Sequence, residues 1–336
     1  MSAEIEFEHG GTGATIEMEE DEVGEYEQEV ERGGEVVLEQ FWIQKKFNDA
    51  INLRVGHIIV PVGFTNEYHM PIEFFTVLRP EEENAILPLT WHETGISLWG
   101  IKNDWKYTFM FIAGLDADRF DSKGWVKGGS SSPYEFKIAN AFAGAFRVEN
   151  YTVKGLRMGL SGYYGHSAKN SLKADRYKDI KGAVMIGSFD ATYKDHNVWA
   201  QGSFSYGHLT DSKRISDINK NMPKAAPTPG TPVASDAISY FVEVGYDFFS
   251  LSTKLKNKNK FYLFGHYGYY NSMLETEGNI LADARYGRHI IAAGINYYPL
   301  PQIAVKAEYS ARMFKHPYNT EQGISLGIVY SGLFNR

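Results

Sequence analysis

Apolar and polar residues alternate with a period of two in one segment after another of this chain, and the 3.6-residue period of an amphipathic helix is almost absent. This alternation predicts about fourteen β-strands, most of them roughly 10 to 15 residues long. The predicted strands cover residues 2–9, 34–46, 49–60, 92–101, 104–115, 138–149, 153–166, 180–193, 195–208, 236–250, 260–272, 286–299, 301–314 and 320–334. They are longer than the roughly 5 to 6 residues of a typical globular strand, and long enough to cross a bilayer at a tilt.

The connections between these strands alternate between short and long. The short turns are the segments FNDA, KNDW, ENYT, YKDHN and YPLP, together with the somewhat longer STKLKNKNK. The long connections are residues 10–33, 60–91, 116–137, 167–179, 209–235 and 273–285. A soluble sandwich has no reason to place its tight turns at one end, whereas an outer-membrane β-barrel combines short periplasmic turns with long external loops.

The choice between a soluble sandwich and a membrane barrel decides which face of each strand points inward. In the segment PQIAVKAEYSARMF, one side carries Ile303, Val305, Ala307 and Tyr309, and the other carries Lys306, Glu308, Ser310 and Arg312. A soluble sheet buries the apolar side, whereas a membrane barrel turns it to lipid and its charged side to a watery lumen. The connection lengths favour the barrel, so we expect the apolar side to face lipid. Aromatic residues near strand ends are then expected at the membrane interfaces: Trp99, Trp105, Tyr193, Tyr269, Tyr297 and Tyr298.

Composition is compatible with this interpretation. The 336 residues include 22 Tyr, 21 Phe and 33 Gly, which suits many strands and turns, and no Cys, which excludes disulfides, thiolate metal sites and a Cys nucleophile. The net charge of -7 and the lack of a basic stripe argue against a nucleic-acid-binding protein. No run approaches the ~18 to 20 apolar residues of a membrane helix. A large lectin-like soluble sandwich is the structural alternative, and it would show Greek-key crossovers.

The segment FNDAINLRVGHIIVPVGF, residues 47–64, resembles the phosphate-selective porin O and P family. In that family a tight turn is followed by an LRVG strand and a Pro-x-Gly motif, which are matched here by Leu53, Arg54, Val55, Gly56, Pro61 and Gly63. The segments TWHETGISLWG and ISLGIVYSGLF are also similar to members of this family. The resemblance extends from about residue 34 to the C-terminus.

This resemblance implies a sixteen-stranded, homotrimeric porin in the outer membrane of a Gram-negative bacterium, with an N-terminal signal peptide and a third external loop that folds into the barrel. Only about fourteen strands are predicted here, and no signal peptide precedes the first of them. If two strands precede Met1, residues 60–91 become that third loop. We therefore expect one barrel domain over residues 1–336 that lacks its first strands. A complete fourteen-stranded barrel is the alternative.

Residues 60–91 are accordingly expected to narrow the pore, and residues 10–33 and 209–235 to form external loops. The candidate pore-lining residues are Arg54, Arg79, Lys106, Arg147, Arg157, Arg288, Lys306, Arg312, Glu243, Asp247 and Glu308. The resemblance implies Arg and Lys ladders that bind anions such as phosphate. The mixed signs argue against a dedicated ladder, and salt bridges between neighbouring strands explain the basic residues equally well.

Two other stretches stand out in these loops. The first long loop is rich in Glu, and residues 209–235, which contain PKAAPTPGTP, are interpreted as a mobile external loop. Catalytic motifs are weak, since Ser161, His166 and His266 have no spacing that ties them together. We expect no enzyme activity, no cofactor and no metal site.

The sequence therefore favours an outer-membrane porin that lets small hydrophilic solutes or ions diffuse passively. The alternative is an outer-membrane barrel whose external loops act in adhesion or assembly and which conducts nothing.

Overall fold

The structure is a computed structural model that describes residues 1–7, 14–20, 26–32, 36–88, 90–130, 138–171, 174–220, 230–255 and 259–332. Its strands are β1 (Ser2–Phe7), β2 (Ala14–Glu20), β3 (Tyr26–Arg32), β4 (Val36–Lys46), β5 (Asn52–Ile59), β6 (His92–Lys102), β7 (Trp105–Ala113), β8 (Phe142–Asn150), β9 (Leu156–His166), β10 (Ala183–Asp195), β11 (Val198–Leu209), β12 (Asp236–Asp247), β13 (Lys260–Glu275), β14 (Gly287–Leu300), β15 (Ile303–Phe314) and β16 (Glu321–Tyr330). The helices are α1 (Phe64–Glu67), α2 (Glu81–Asn84) and α3 (Ser212–Lys220), and several 3-10 turns lie in the loops. None of the helices in these ranges is long and apolar enough to cross a membrane.

Fourteen of the strands form one antiparallel up-and-down sheet in the order β1, β4 and then β5 through β16. The prediction of an all-β meander of about fourteen strands is confirmed. Within the described residues β1 pairs only with β4 and β16 only with β15, so the sheet is not closed on itself.

Short turns join the strands at one end of the sheet. Between β10 and β11 the turn has two central residues, His196 and Asn197, with φ of 51° and 63°. Two consecutive left-handed residues are the geometry that matches the right-handed twist of paired strands, and Asn tolerates it well. The turn between β4 and β5 is closed by Asn48, whose Oδ1 accepts hydrogen bonds from the backbone of Ala50 and Ile51.

The two faces of the sheet carry opposite chemistry. On β15, Val305 and Tyr309 are 42% and 49% exposed on the outer face, whereas Lys306 on the inner face is only 1% exposed. On β7, Phe109 and Phe111 are more than half exposed on the outer face as well. The outer face is therefore apolar and the inner face polar, which is the arrangement of a membrane barrel rather than a soluble sheet.

Two of the aromatic residues predicted at membrane interfaces face inward instead. Trp99 shares the inner face of β6 with Ser97, and its Nε1 donates to Gln44 Oε1 at 3.0 Å. Tyr298 is 8% exposed and packs against Tyr262 inside the sheet. Position near a strand end does not fix the side of the sheet, because that side is set by the parity of the residue along the strand.

Two predicted loops contain regular structure. Residues 10–33 include the antiparallel hairpin of β2 and β3, which pairs Ala14 with Arg32 and Glu20 with Tyr26. Residues 209–235, predicted to be a mobile external loop, include α3, and residues 221–229 within them lie outside the described residues.

Candidate functional site: the interior of the barrel

The connection between β5 and β6, residues 60–91, crosses the interior of the sheet and is called the inward loop. It leaves β5 and reaches across to β15, where Lys306 Nζ donates to the carbonyl oxygens of Pro71, Phe74 and Thr76 at 2.5, 2.6 and 3.0 Å. Glu308, on the same face of β15, accepts a hydrogen bond from Val77 N at 2.7 Å. The loop is thus attached to the wall opposite its origin.

The tip of the inward loop is also held by close packing of aromatic side chains. Phe75 is fully buried, stacks on Phe264 at 5.3 Å, and lies 4.3 Å from the ring of Trp199. Its ring occupies the space at Gly245, where an added Cβ would come within 2.3 Å of it. Glycine at this inward position of β12 therefore leaves a notch for the loop. Asn296 Nδ2 donates to the Phe75 carbonyl at 2.9 Å.

A cluster of charged residues, called the arginine cluster, lies beside the start of the inward loop. It contains Arg147 on β8, Arg157 on β9 and the carboxylates Glu149 and Asp190. Arg147 Nη2 lies 2.9 and 2.8 Å from the two Asp190 oxygens, and Arg157 Nη1 lies 2.5 Å from Asp190 Oδ1. Arg147 also donates to the carbonyl of Gly63 at 3.0 Å. Since all four side chains are less than 10% exposed, the charges compensate one another and fasten the loop.

Two further side chains extend this cluster. Lys106 Nζ lies 2.8 Å from Glu67 Oε1 and 3.1 Å from Glu149 Oε2. Tyr68 OH donates to Glu149 Oε1 at 2.6 Å, and its ring lies 4.1 Å below the Arg157 guanidinium. Three cations, Lys106, Arg147 and Arg157, therefore meet three carboxylates, Glu67, Glu149 and Asp190.

Buried carboxylates of α2 bind the opposite wall. Glu83 accepts hydrogen bonds from Phe64 N, Thr65 N, Thr65 Oγ1 and Ser203 Oγ at 2.6 to 3.0 Å. Burial raises the pKa of Glu83, although these four donors oppose that shift. Glu82 accepts from His266 Nε2 at 2.8 Å, and Glu243 lies 3.4 Å from His266 Nδ1. His266 on β13 thus connects the loop to a carboxylate of β12.

The remaining predicted pore-lining residues have three kinds of environment. Arg312 Nε donates to Glu81 Oε2 at 2.6 Å, and Arg79 binds Thr90 Oγ1 and the Thr65 carbonyl within the loop. Asp247 accepts from Phe249 N and Phe261 N, so it caps a turn. Arg288 lies near the external end, over the ring of Phe314 at 4.6 Å.

Arg54 differs from the other inward cations. Its guanidinium lies between the rings of Trp42 and Trp99, at 4.2 and 5.7 Å, and its Nη2 approaches Gln44 Oε1 at 3.4 Å. No carboxylate in the described part of the chain lies within ion-pairing distance of it. Arg54 borders a cavity of about 240 Å³, where the fully buried hydroxyl of Ser97 has no hydrogen-bond partner among the described residues.

The long loops close over the end of the interior opposite the short turns. Their buried apolar side chains form the mouth cluster, defined as Leu115, Phe120, Trp125, Val184, Leu209, Ile215 and Val233, all with 0% exposure. Trp125 Nε1 donates to the Ala234 carbonyl at 3.1 Å, and its ring fills the space at Gly207, where an added Cβ would come within 2.1 Å. Loops that follow β7 and β11 are therefore packed together across the external mouth.

Catalytic and metal chemistry find little support in this interior. Ser161 Oγ accepts a hydrogen bond from Gly63 N at 3.0 Å, and His266 is held by Glu82 and Glu243. Among the described residues, no group of three or more His, Cys, Asp or Glu side chains is placed to hold a metal ion.

No family model matches the chain. An uncharacterised protein of Aquifex aeolicus strain VF5 is 23% identical over 302 residues, which cover 85% of this chain and 63% of that protein. The chain therefore spans less than two thirds of the length of this relative. OmpF of Salmonella typhi, solved in complex with daunomycin, superposes with a TM-score of 0.53 at 11% identity, over 88% of this chain and 78% of that chain. The chain has a porin-type fold.

An anion-selective porin from Comamonas acidovorans also aligns, over 99% of this chain and 96% of that chain, with a TM-score of 0.46 and 10% identity. The more specific resemblance to the phosphate-selective porin O and P family stays a prediction.

Sequence reasoning missed several contacts of the interior. Ser203 binds Glu83 of the inward loop across 120 residues of sequence, and Asp190 binds Arg147 across 43. The signal that could have found such contacts is glycine on the inner face of a strand. Gly207 and Gly245 occupy such positions, and each leaves room for an aromatic ring from a loop.

Proposed function

We propose that this protein is a channel in the outer membrane of a Gram-negative bacterium, through which small hydrophilic solutes or ions diffuse passively. The observation that carries this proposal is the inverted sheet: an apolar outer face surrounds a polar inner face that holds the inward loop. The apolar outer face suits contact with lipid, and the polar interior suits a path for hydrated solutes. The fold shared with a porin supports the same function.

The inward loop is the proposed constriction. Lys106, Arg147, Arg157 and Arg312 are ion-paired, so they contribute little net charge to a passing solute. Arg54 and Arg288 have no carboxylate within ion-pairing distance in the described ranges, and we assign anion preference to them. We therefore propose weak anion selectivity, with phosphate among the permeant or binding anions, rather than a strong phosphate ladder.

Planar-bilayer recording of the full-length protein in a KCl gradient tests this function. We expect stepwise conductance with a reversal potential that favours chloride modestly, and a reduction of current when phosphate is added. Cation selectivity would refute the anion assignment but leave the channel. Heat-modifiable, folded protein that never conducts would refute the channel itself.

The mouth cluster favours a second candidate function. A continuous set of buried apolar side chains holds these loops in fixed positions, and loops ordered in this way suit adhesion or assembly with a partner. This alternative predicts no conductance from the wild-type protein. It also predicts loss of partner binding when the external loops are shortened while the barrel stays folded.

We further propose a homotrimer. The exposed apolar outer faces of the strands could contact lipid or a sister subunit, and cross-linking in native membranes distinguishes the two. A ladder that ends at three subunits supports the trimer, and a lone monomer band contradicts it.

A further inference from the structure

A cavity in the interior opens at the end where the short turns lie. It has a volume of about 650 Å³ and is lined by aromatic and aliphatic side chains together with a few charged ones. Trp199, Tyr262 and Tyr298 form its aromatic wall, and Ile72 and Glu73 of the inward loop contribute from the inside. A concave site of this size, mostly apolar with few polar groups, is the usual form of a small-molecule site.

The cavity is closed on its inner side by the tip of the inward loop. Phe75, at this tip, packs against Trp199, Tyr262 and Phe264, with ring centroids 4.3 to 5.4 Å apart. The backbone of Phe75 is fixed by Glu243, which accepts from its N at 3.0 Å. A solute that enters from the periplasmic side therefore meets an ordered aromatic floor.

The charges at this cavity are mainly positive. Lys194 Nζ lies 3.8 Å from the centre of the Trp199 ring, and Lys260 Nζ lies 3.5 Å from Tyr262 OH. Neither ammonium group has a carboxylate within ion-pairing distance in the described part of the chain. Glu73 is the carboxylate at the cavity wall, and burial raises its pKa.

We propose that this cavity, called the periplasmic cavity, binds amphipathic anions that combine an aromatic ring with a carboxylate. The ring would pack on Trp199 and Tyr262, and the carboxylate would pair with Lys194 and Lys260. This goes beyond the proposed function, because it concerns binding at one end of the interior and not passage through it. Binding is expected whether or not the protein conducts.

The probe for this site is phenylacetate, with phenylacetamide as the neutral isostere and acetate as the anion without a ring. Isothermal titration calorimetry on the folded full-length protein in detergent measures binding without any conductance. We expect phenylacetate to bind at least about tenfold more tightly than either comparison compound, since each comparison removes one half of the recognition. Equal affinity for phenylacetate and phenylacetamide would overturn the charge assignment, and no binding of phenylacetate would overturn the site.

Substitutions locate the binding within the structure. Lys194→Gln combined with Lys260→Gln should weaken phenylacetate binding about tenfold and leave phenylacetamide unaffected. Trp199→Leu should weaken both aromatic compounds. Lys102→Gln is the matched control, because Lys102 is an exposed lysine at the end of β6, outside the cavity lining.

Folding of each variant is checked by its heat-modifiable migration on gels, and Trp199→Phe provides a conservative variant if Trp199→Leu fails to fold. Retained wild-type affinity in the double lysine variant would refute the proposal. Failure of bilayer conductance with intact phenylacetate binding would refute the proposed channel alone.

Discussion

At the scale of single residues, Arg147 is the clearest case of a buried charge that depends on its partners. Its side chain is 2% exposed and binds Asp190, Glu149 and the Gly63 carbonyl. Arg147→Met would leave these acceptors without one of their donors, and breaking such a pair typically costs about 3 to 5 kcal/mol. We expect a loss of that order in the free energy of unfolding, measured by denaturant titration in lipid vesicles.

The double variant Arg147→Met with Asp190→Asn provides the control for that prediction. Since the second change removes the uncompensated carboxylate, we expect the pair to be less destabilised than the sum of the single variants. Strict additivity would show that the two side chains are not coupled, contrary to the observed geometry.

Arg54 belongs to the same scale, and in the proposed channel it would act on the passage of ions. Arg54→Gln removes an inward charge that has no carboxylate partner in the described ranges, and one charge at about 4 Å in water is worth about 1 kcal/mol. We expect the ratio of chloride to potassium permeability to fall by about two- to fivefold, read from the reversal potential. Lys102→Gln, at the exposed end of β6, should leave that ratio unchanged.

At the scale of elements, the inward loop is held at its tip by one side chain in particular. Lys306→Met removes the donor to three loop carbonyls, and each buried polar group that loses its partner costs about 1 to 3 kcal/mol. We expect faster hydrogen exchange of residues 70–78 and larger current fluctuations. Exchange measured by mass spectrometry that matches the wild type would show that the remaining contacts suffice.

The external loops can be tested through the notch at Gly207. Gly207→Val places side-chain atoms where the ring of Trp125 lies, so the ring must leave its buried position. We expect a red shift of tryptophan fluorescence and a less stable mouth cluster. Gly187→Val is the matched control, because nothing lies within 4 Å of an added Cβ at Gly187. An unchanged emission spectrum in Gly207→Val would contradict the close packing.

The elements also show how far the sequence can be interpreted. Alternation predicted the fourteen paired strands because successive side chains of a strand point to opposite faces, so the two-residue period is present whichever face is apolar. It missed β2 and β3 because their many glutamates were interpreted as a solvated loop, although Ala14, Ile16 and Met18 alternate with polar residues in β2. It misassigned Trp99 and Tyr298 because interfacial position and inward parity look alike. The bonds of Glu83 and Asp190 depend on tertiary proximity, which no local pattern contains.

At the scale of the whole molecule, the orientation of the sheet is itself testable. Phe109→Arg places a charge on the apolar outer face, which costs about 2 to 4 kcal/mol near the middle of a bilayer. Thr108→Arg, one residue earlier, points into the polar interior and should cost much less. Unfolding of both variants in lipid vesicles measures the difference, and equal costs would argue against the assigned faces.

The two ends of the interior are lined by side chains of different chemistry. A dry apolar layer closes the external end, whereas an aromatic chamber with two lysines opens at the other. In the channel proposed above, an ion that crosses in one direction meets the apolar layer first, and an ion that crosses in the opposite direction meets the fixed positive charges first. We therefore expect the current to rectify, so that its size differs at equal and opposite voltages.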